Sequence, residues 1–338
     1  MSLTTGSAVA SEQARRSGVV ARRVQAYSIL VAWAILILIF TLLLPDTFFT
    51  LQNFTAIANS KTATVLLTLG LIFALAAGEF DLSIGAALSL GAAIPAWLYT
   101  EYGIPVLIGI AVALLAAALM GSLNALLSVR YNIASLVVTL GTGTAVIGLV
   151  AGIVGNSTIS IRGDWWNEVL AHRTLGLYTS FWIVLLIAFI IWYILQHTPI
   201  GRHLYFVGQS REVARLAGIR VNAYRYSALI TSSTLGALAG AFLLGNTGAV
   251  QARIGQFFIL AAFAAAFLGS TAIVPGRFNA WGTVVAVYFI ETGITGLQLL
   301  GLQAWVSDVF YGTALVVGVL VATLATRLRS RLSERSTL

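Results

Sequence analysis

Ten apolar runs divide this chain, at residues 27–44, 62–77, 82–99, 104–129, 133–154, 181–196, 227–246, 256–273, 280–300 and 305–326, and the gaps between them are short and polar or glycine-bearing. Runs of this length without charge predict helices that cross a bilayer. The expected fold is therefore an all-α polytopic membrane protein with about ten transmembrane helices. The first run leads into Pro45 and Asp46 without a small-residue cleavage site, so it is expected to stay as a helix and not to be removed as a signal peptide.

The longest polar interruption is 198–226, TPIGRHLYFVGQSREVARLAGIRVNAYRY, which carries five arginines against one acid, Glu212. Its punctuation predicts a short helix: Ser210 as N-cap, Glu212 in the first turn, Gly218 as a left-handed stop. About two turns of helix are marginal in water, so packing against something else has to hold them.

Composition agrees with the pattern. Of 338 residues, 59% are hydrophobic and 9% charged, and the mean hydropathy is +0.94, outside the range of soluble domains. The net charge of +8 follows membrane orientation and not nucleic-acid binding, because the arginines flank apolar runs. With an even span count and both termini in the cytoplasm, 15 basic residues lie inside, and only Lys61, Arg162, Arg173 and Arg253 lie outside. This topology gives a disordered cytoplasmic tail at 1–26, a transmembrane domain at 27–326 and a basic cytoplasmic tail at 327–338.

Several kinds of chemistry are excluded. Cysteine is absent, and His172, His197 and His203 form no metal-like cluster and read as solvated loop residues. The chain's one lysine, Lys61, follows no glycine-rich loop, so no P-loop binds ATP here. Neither a nucleophile elbow nor a metalloprotease helix occurs.

Four places remain as functional candidates, the first three of them for a polar solute's route. In GEFDLSIG, Gly78 to Gly85, the acids Glu79 and Asp81 with Ser83 form either a capped cytoplasmic turn or a discontinuous helix lining the route. Glu291 is an acid in the middle of the ninth run, a position that marks a pathway, a gate or an interhelical bond. Asn246 ends the seventh run and Asp308 starts the tenth, both on the outer side. The outer loop 155–180, with Asp164, Trp165, Trp166 and Glu168, either docks a soluble partner or lies on the membrane.

GEFDLSIG, VVTLGTGT at 137–144, GRHLYFVGQSREVARLAGI and the region from Gly269 through PGRFNAWGT come in the order found in the ribose-type permeases of bacterial ABC importers. The chain resembles that branched-chain amino acid/ribose permease family over nearly all residues after 27. The resemblance implies a permease of the bacterial inner membrane that imports a sugar or related polyol. It further implies a second permease copy or homologue, two cytoplasmic ATPases that bind and hydrolyse the ATP, and a periplasmic substrate-binding protein. No cofactor is expected in this chain.

Also implied is a coupling helix at Arg211, Glu212, Ala214, Arg215, Leu216, Ala217 and Gly218, seated in a groove of the ATPase with its arginines facing acids there. The implied fold is one helix followed by two inverted four-helix repeats separated by another helix, of which LAAGEFDLSIG and LLGNTGAVQARIG carry only a faint echo. The chain departs from the family pattern at Glu79, where a glycine is usual, and at the bulky, basic PGRFN turn. Two other readings stay open: a branched-chain amino acid or nucleoside as cargo, and a secondary transporter using an ion gradient through Glu291 or Asp81.

Overall fold

A computed structural model of the chain describes residues 26–155, 157–161 and 163–335, with side chains to residue 323. Of the expected tails at 1–26 and 327–338, residues 1–25 and 336–338 lie outside the described residues, as do Asn156, Arg162 and the side chains of 324–335. The helices are α1 Ala26–Leu43, α2 Leu51–Ser60, α3 Thr62–Ala76, α4 Ile84–Tyr102, α5 Val106–Ala125, α6 Ser135–Val154, α7 Trp165–Leu170, α8 Thr179–His197, α9 Pro199–Gln209, α10 Arg211–Leu216, α11 Val221–Thr247, α12 Gln256–Gly269, α13 Ala280–Leu299 and α14 Trp305–Arg335. Leu126–Arg130 extends α5 as a π-turn.

The protein is a polytopic all-α membrane protein. Each of the ten expected runs falls on a helix, but the count of ten spans is not reached. Among the described residues seven helices are long and apolar enough to cross a bilayer, or eight if α2 and α3, bent by 42°, form one span. Three helices fall out: α3 with 15 residues and α12 with 14, about 22 and 21 Å at 1.5 Å per residue, are short of a 30 Å hydrocarbon layer, and α4, long enough at 19 residues, carries Pro95 and ends in Thr100, Glu101 and Tyr102.

Every residue of α3 is buried, as a helix that is apolar all round must be. Beside it runs α11, whose 27 residues make a rod of about 40 Å. The outer helices instead turn Val31, Leu38 and Leu42 of α1, Leu115 and Leu119 of α5, and Val316 and Leu320 of α14 outward, the apolar belt that a bilayer covers.

The packing is reciprocal. While α11 lies on α3, α4 and α5, α3 lies on α11, α12 and α13; α4 packs on α5 and α6 as α12 packs on α13 and α14. The two runs meet where their sequences echo. A β-carbon on Gly85 would lie 2.5 Å from Ile259 and 2.8 Å from the Gly255 oxygen; one on Gly255 would lie 1.9 Å from the Gly85 oxygen and 2.9 Å from Ser89 Oγ. Each glycine thus meets the other and the residue four places beyond it, the exchange that a local two-fold between α3–α6 and α11–α14 requires.

Candidate functional site: the joint between the broken helix and the segment 198–226

The segment 198–226 is two helices packed on the ends of the membrane helices. Pro199 opens α9 at a position where no backbone donor is needed, and Gly201, Leu204, Tyr205 and Val207 are its buried residues. Two glycines let it sit close: a β-carbon at Gly201 would come 2.1 Å from the Leu195 oxygen, and one at Gly208 would come 2.1 Å from the Ala76 oxygen. His203 Nδ1 lies 2.8 Å from the Tyr224 hydroxyl on α11, so this histidine is bonded and not a solvated loop residue. The Tyr205 hydroxyl donates to the Phe278 carbonyl, and burial pushes its pKa up to about 12, with Arg277 pulling the other way.

The next helix, α10, runs Arg211–Leu216, with Ser210 Oγ accepting from the Val213 amide. It ends in a Schellman turn: Gly218 N donates to Arg215 O and Ile219 N to Ala214 O, both at 3.0 Å, with Gly218 at φ +78°. Ala214 is buried with Val207 and Val221. Glu212, Arg215, Ala217 and Gly218 face outward, and Leu216 is 89% exposed. Val213 and Leu216 are the large apolar side chains that α10 leaves exposed.

The break at 77–83 is where the arginines lead. Glu79 is 1% exposed, and its Oε1 accepts from Arg211 at 2.9 Å and from Arg225 Nε of α11. Arg211 also donates to the Gly78 carbonyl at 3.2 Å. Arg225 reaches the Ser128 carbonyl at 3.3 Å, in the π-turn of α5, where the widened ladder leaves carbonyls available. The Phe80 amide donates to Ser135 Oγ at 3.0 Å and the Leu82 amide to Thr139 Oγ1 at 3.1 Å, both on α6. On its other side the Phe80 ring stacks on Phe263 and Phe267 of α12. One turn therefore touches α10, α11, the end of α5, α6 and α12.

The other route candidates are scattered. Asp81 and Ser83 are fully buried: Asp81 Oδ1 accepts from the Ser83 amide at 3.0 Å and from its hydroxyl, and Ser83 Oγ accepts from Asn124 at 2.8 Å. Glu291 is not an isolated acid, since Lys61 Nζ lies 2.8 Å from its Oε1 and the Tyr311 hydroxyl donates to its Oε2 at 3.2 Å. Removing Lys61 leaves the buried Glu291 without its cation, a loss of about 1–3 kcal/mol given the 26% exposure of the lysine side chain, whereas replacing both partners by apolar groups is near neutral. Lys61→Met is accordingly expected to lower the thermal unfolding temperature in detergent, and Lys61→Met with Glu291→Met to recover most of the loss.

At the far end of α11 from α10, a cavity of about 1100 Å³ opens between α2, the hairpin of β1 (Arg173–Thr174) and β2 (Leu177–Tyr178), and residues Leu243, Asn246 and Thr247. Asn246 Nδ2 donates to Thr62 Oγ1 at 2.7 Å while its Oδ1 is buried without a partner. Asp308 is exposed at the start of α14 and does not line this cavity. The aromatic outer loop is tied down: Trp166 Nε1 donates to the Ala241 oxygen at 2.8 Å and Asn167 to the Gly245 oxygen at 2.6 Å, which fixes α7 against α11. Among the described residues no group of three or more His, Asp or Glu is placed to hold a metal.

These features define a class: a helical membrane protein in which the turn between α3 and α4 is joined to a short exposed helix at one face. The chain belongs to the branched-chain amino acid transport system permease component family, whose model matches residues 53–331. It is 28% identical over 294 residues to the ribose import permease protein RbsC of Haemophilus influenzae, covering 86% of this chain and 90% of that one. It is also 28% identical to the D-allose transport system permease protein AlsC of Escherichia coli, covering 87% and 90% of the two chains. With the autoinducer 2 import system permease protein LsrD of Photorhabdus laumondii the identity is 31%, over 75% and 78%.

Proposed function

We propose that the chain is the transmembrane subunit of an ABC importer that carries a sugar or related polyol across the bacterial inner membrane, with both termini in the cytoplasm. The observation that carries this reading is α10: a short helix capped at both ends, anchored by Ala214, exposed at Leu216 and ion-paired through Arg211 to a break in the membrane helices. Two partner ATPases bind and hydrolyse ATP, close on α10 and move it as a rigid body; a second permease copy completes the route and a periplasmic protein delivers the solute. The names of the relatives support a sugar. So does the lining of the outer cavity, where Gln52, Asn59, Asn246 and Thr247 offer neutral hydrogen-bonding groups and Arg173 is the one charged residue. A branched-chain amino acid, which the family description names, would call for fixed charges of both signs.

Ion-coupled transport through Glu291 is disfavoured by the same geometry, since Lys61 pairs with it at 2.8 Å. The test is purification of the tagged chain from its native membrane, followed by solute uptake in proteoliposomes. A P-loop ATPase is expected to travel with it, and uptake of ribose or allose is expected to require ATP inside the reaction. Uptake by the chain alone, driven by an ion gradient, would sink the proposal.

A further inference from the structure

We propose that Glu79 is the positioning residue that carries the displacement of α10 into the membrane helices, a role that rests on the importer reading above. Three observations lead there. First, the acid is almost fully buried, a costly placement without compensating cations, and both cations come from the segment 198–226: Arg211 from α10 and Arg225 from the first turns of α11. Second, the same turn is held from the opposite side by groups that belong to other helices, Ser135 and Thr139 of α6 through the Phe80 and Leu82 amides, and Phe263 and Phe267 of α12 through the Phe80 ring. Third, Gly78 sits at φ +75° directly before the acid, and its carbonyl takes the second hydrogen bond of Arg211.

A push on α10 therefore loads the carboxylate of Glu79 and the Gly78 carbonyl together. The turn cannot take up that load alone, because Phe80 and Leu82 are bonded to α6 and the Phe80 ring is stacked on α12. Of these, α6 belongs to the first run, α3–α6, and α12 to the second, α11–α14, so one joint addresses both. Glu79 is thus a strut between the exposed helix and the membrane helices and not a contact for the transported solute.

Arg211→Gln is the informative change, because Arg211 is 42% exposed and the buried pair of Glu79 with Arg225 survives it. Hydrogen exchange would be followed on the full chain in lipid nanodiscs. Amides at 211–219 and those of Phe80 and Leu82 are expected to exchange roughly tenfold faster than in the wild type, the loss of one charge-assisted bond discounted for exposure. Arg215→Gln, one turn away on the exposed face, is expected to leave Phe80 and Leu82 unchanged. Arg211→Lys is expected to restore part of the protection, because the ammonium keeps a positive charge beside Glu79 on a shorter and more flexible stem.

In the complex with its co-purified ATPase, solute uptake per ATP hydrolysed is expected to fall further for Arg211→Gln than for Arg215→Gln, a difference that a shared role in docking the ATPase would not produce. Faster exchange confined to 211–219, or no change anywhere, would overturn the joint. Uptake without any ATPase would overturn the importer reading and leave the exchange result standing on its own.

Discussion

Gly91→Ala is expected to be among the most damaging single methyl additions in this protein. Gly91 lies where α4 crosses α11, and a β-carbon there would sit 1.7 Å from the Ala237 carbonyl oxygen and 2.7 Å from its Cα. Ordinary contact begins near 3.5 Å, so the two helices would have to part by more than an ångström along their whole interface. The neighbouring crossing offers no relief, because Gly240 of α11 is equally tight against the Leu88 oxygen at 2.0 Å. Overpacking of a rigid interior costs about 3 kcal/mol at its upper common range and more when only backbone can yield. Thermal unfolding of the detergent-solubilised chain checks this. A large fall in midpoint or loss of monodisperse protein is expected for Gly91→Ala, with no change for Gly141→Ala on α6, where nothing lies within 4 Å of the added carbon. Equal behaviour of the two variants would mean that the helices are not packed this closely.

The difference between those two glycines was not visible in the sequence, where both sit in small-residue stretches that read alike as packing surfaces. What the sequence did carry was anything encoded within a few residues. The limits of α10 follow from Ser210 and Gly218 because a cap and a left-handed stop act on their immediate neighbours. The break after α3 follows from Gly78 and the acids for the same reason. The end of α12 was misread to 273, because Ala272, Ile273 and Val274 look like a continuing span. In the fold they form a turn with Ile273 at φ +58°, tied by Asn279, whose side-chain amide donates to the carbonyls of Gly269, Ala272 and Arg277.

Pairings across the chain were out of reach. Glu79 meets Arg225 across 146 residues and Lys61 meets Glu291 across 230, and nothing local in either partner names the other. Without its cation each acid looked like a candidate for the solute route. A weak signal did exist for α9: Gly201, Leu204, Tyr205 and Gly208 recur at the spacing of one helical face. The echo of Ile84-Gly85 in Ile254-Gly255 was likewise a true signal of the repeat, too short to stand until the two glycines are seen in contact.

Replacing Glu212 and Gly218 together is expected to abolish transport while leaving membrane insertion intact. Both residues are exposed on α10, away from the buried helices that determine insertion, so the amount of protein in the membrane fraction should match the wild type. Gly218 has open space around it but stands at φ +78°, where a β-branched side chain is strained by about 1–3 kcal/mol. Gly218→Val should therefore unpick the Schellman turn and turn Leu216 away from its docking direction.

Glu212 contributes differently. Its carboxylate favours the helix N-terminus by about 0.3–1 kcal/mol at an exposed site, and Glu212→Arg would add a repulsive charge beside Arg211 and Arg215. A helix of six residues has no reserve to absorb both losses. Uptake in membrane vesicles is expected to fall by about a hundredfold, the scale of a coupling energy of a few kcal/mol. The single variants separate the causes: if Gly218→Val alone gives most of the loss, the shape of α10 carries the coupling, and if Glu212→Arg does, its charge meets the ATPase directly. Normal uptake by the double variant, with normal insertion, would remove α10 from the transport cycle and with it the reason for the joint at Glu79.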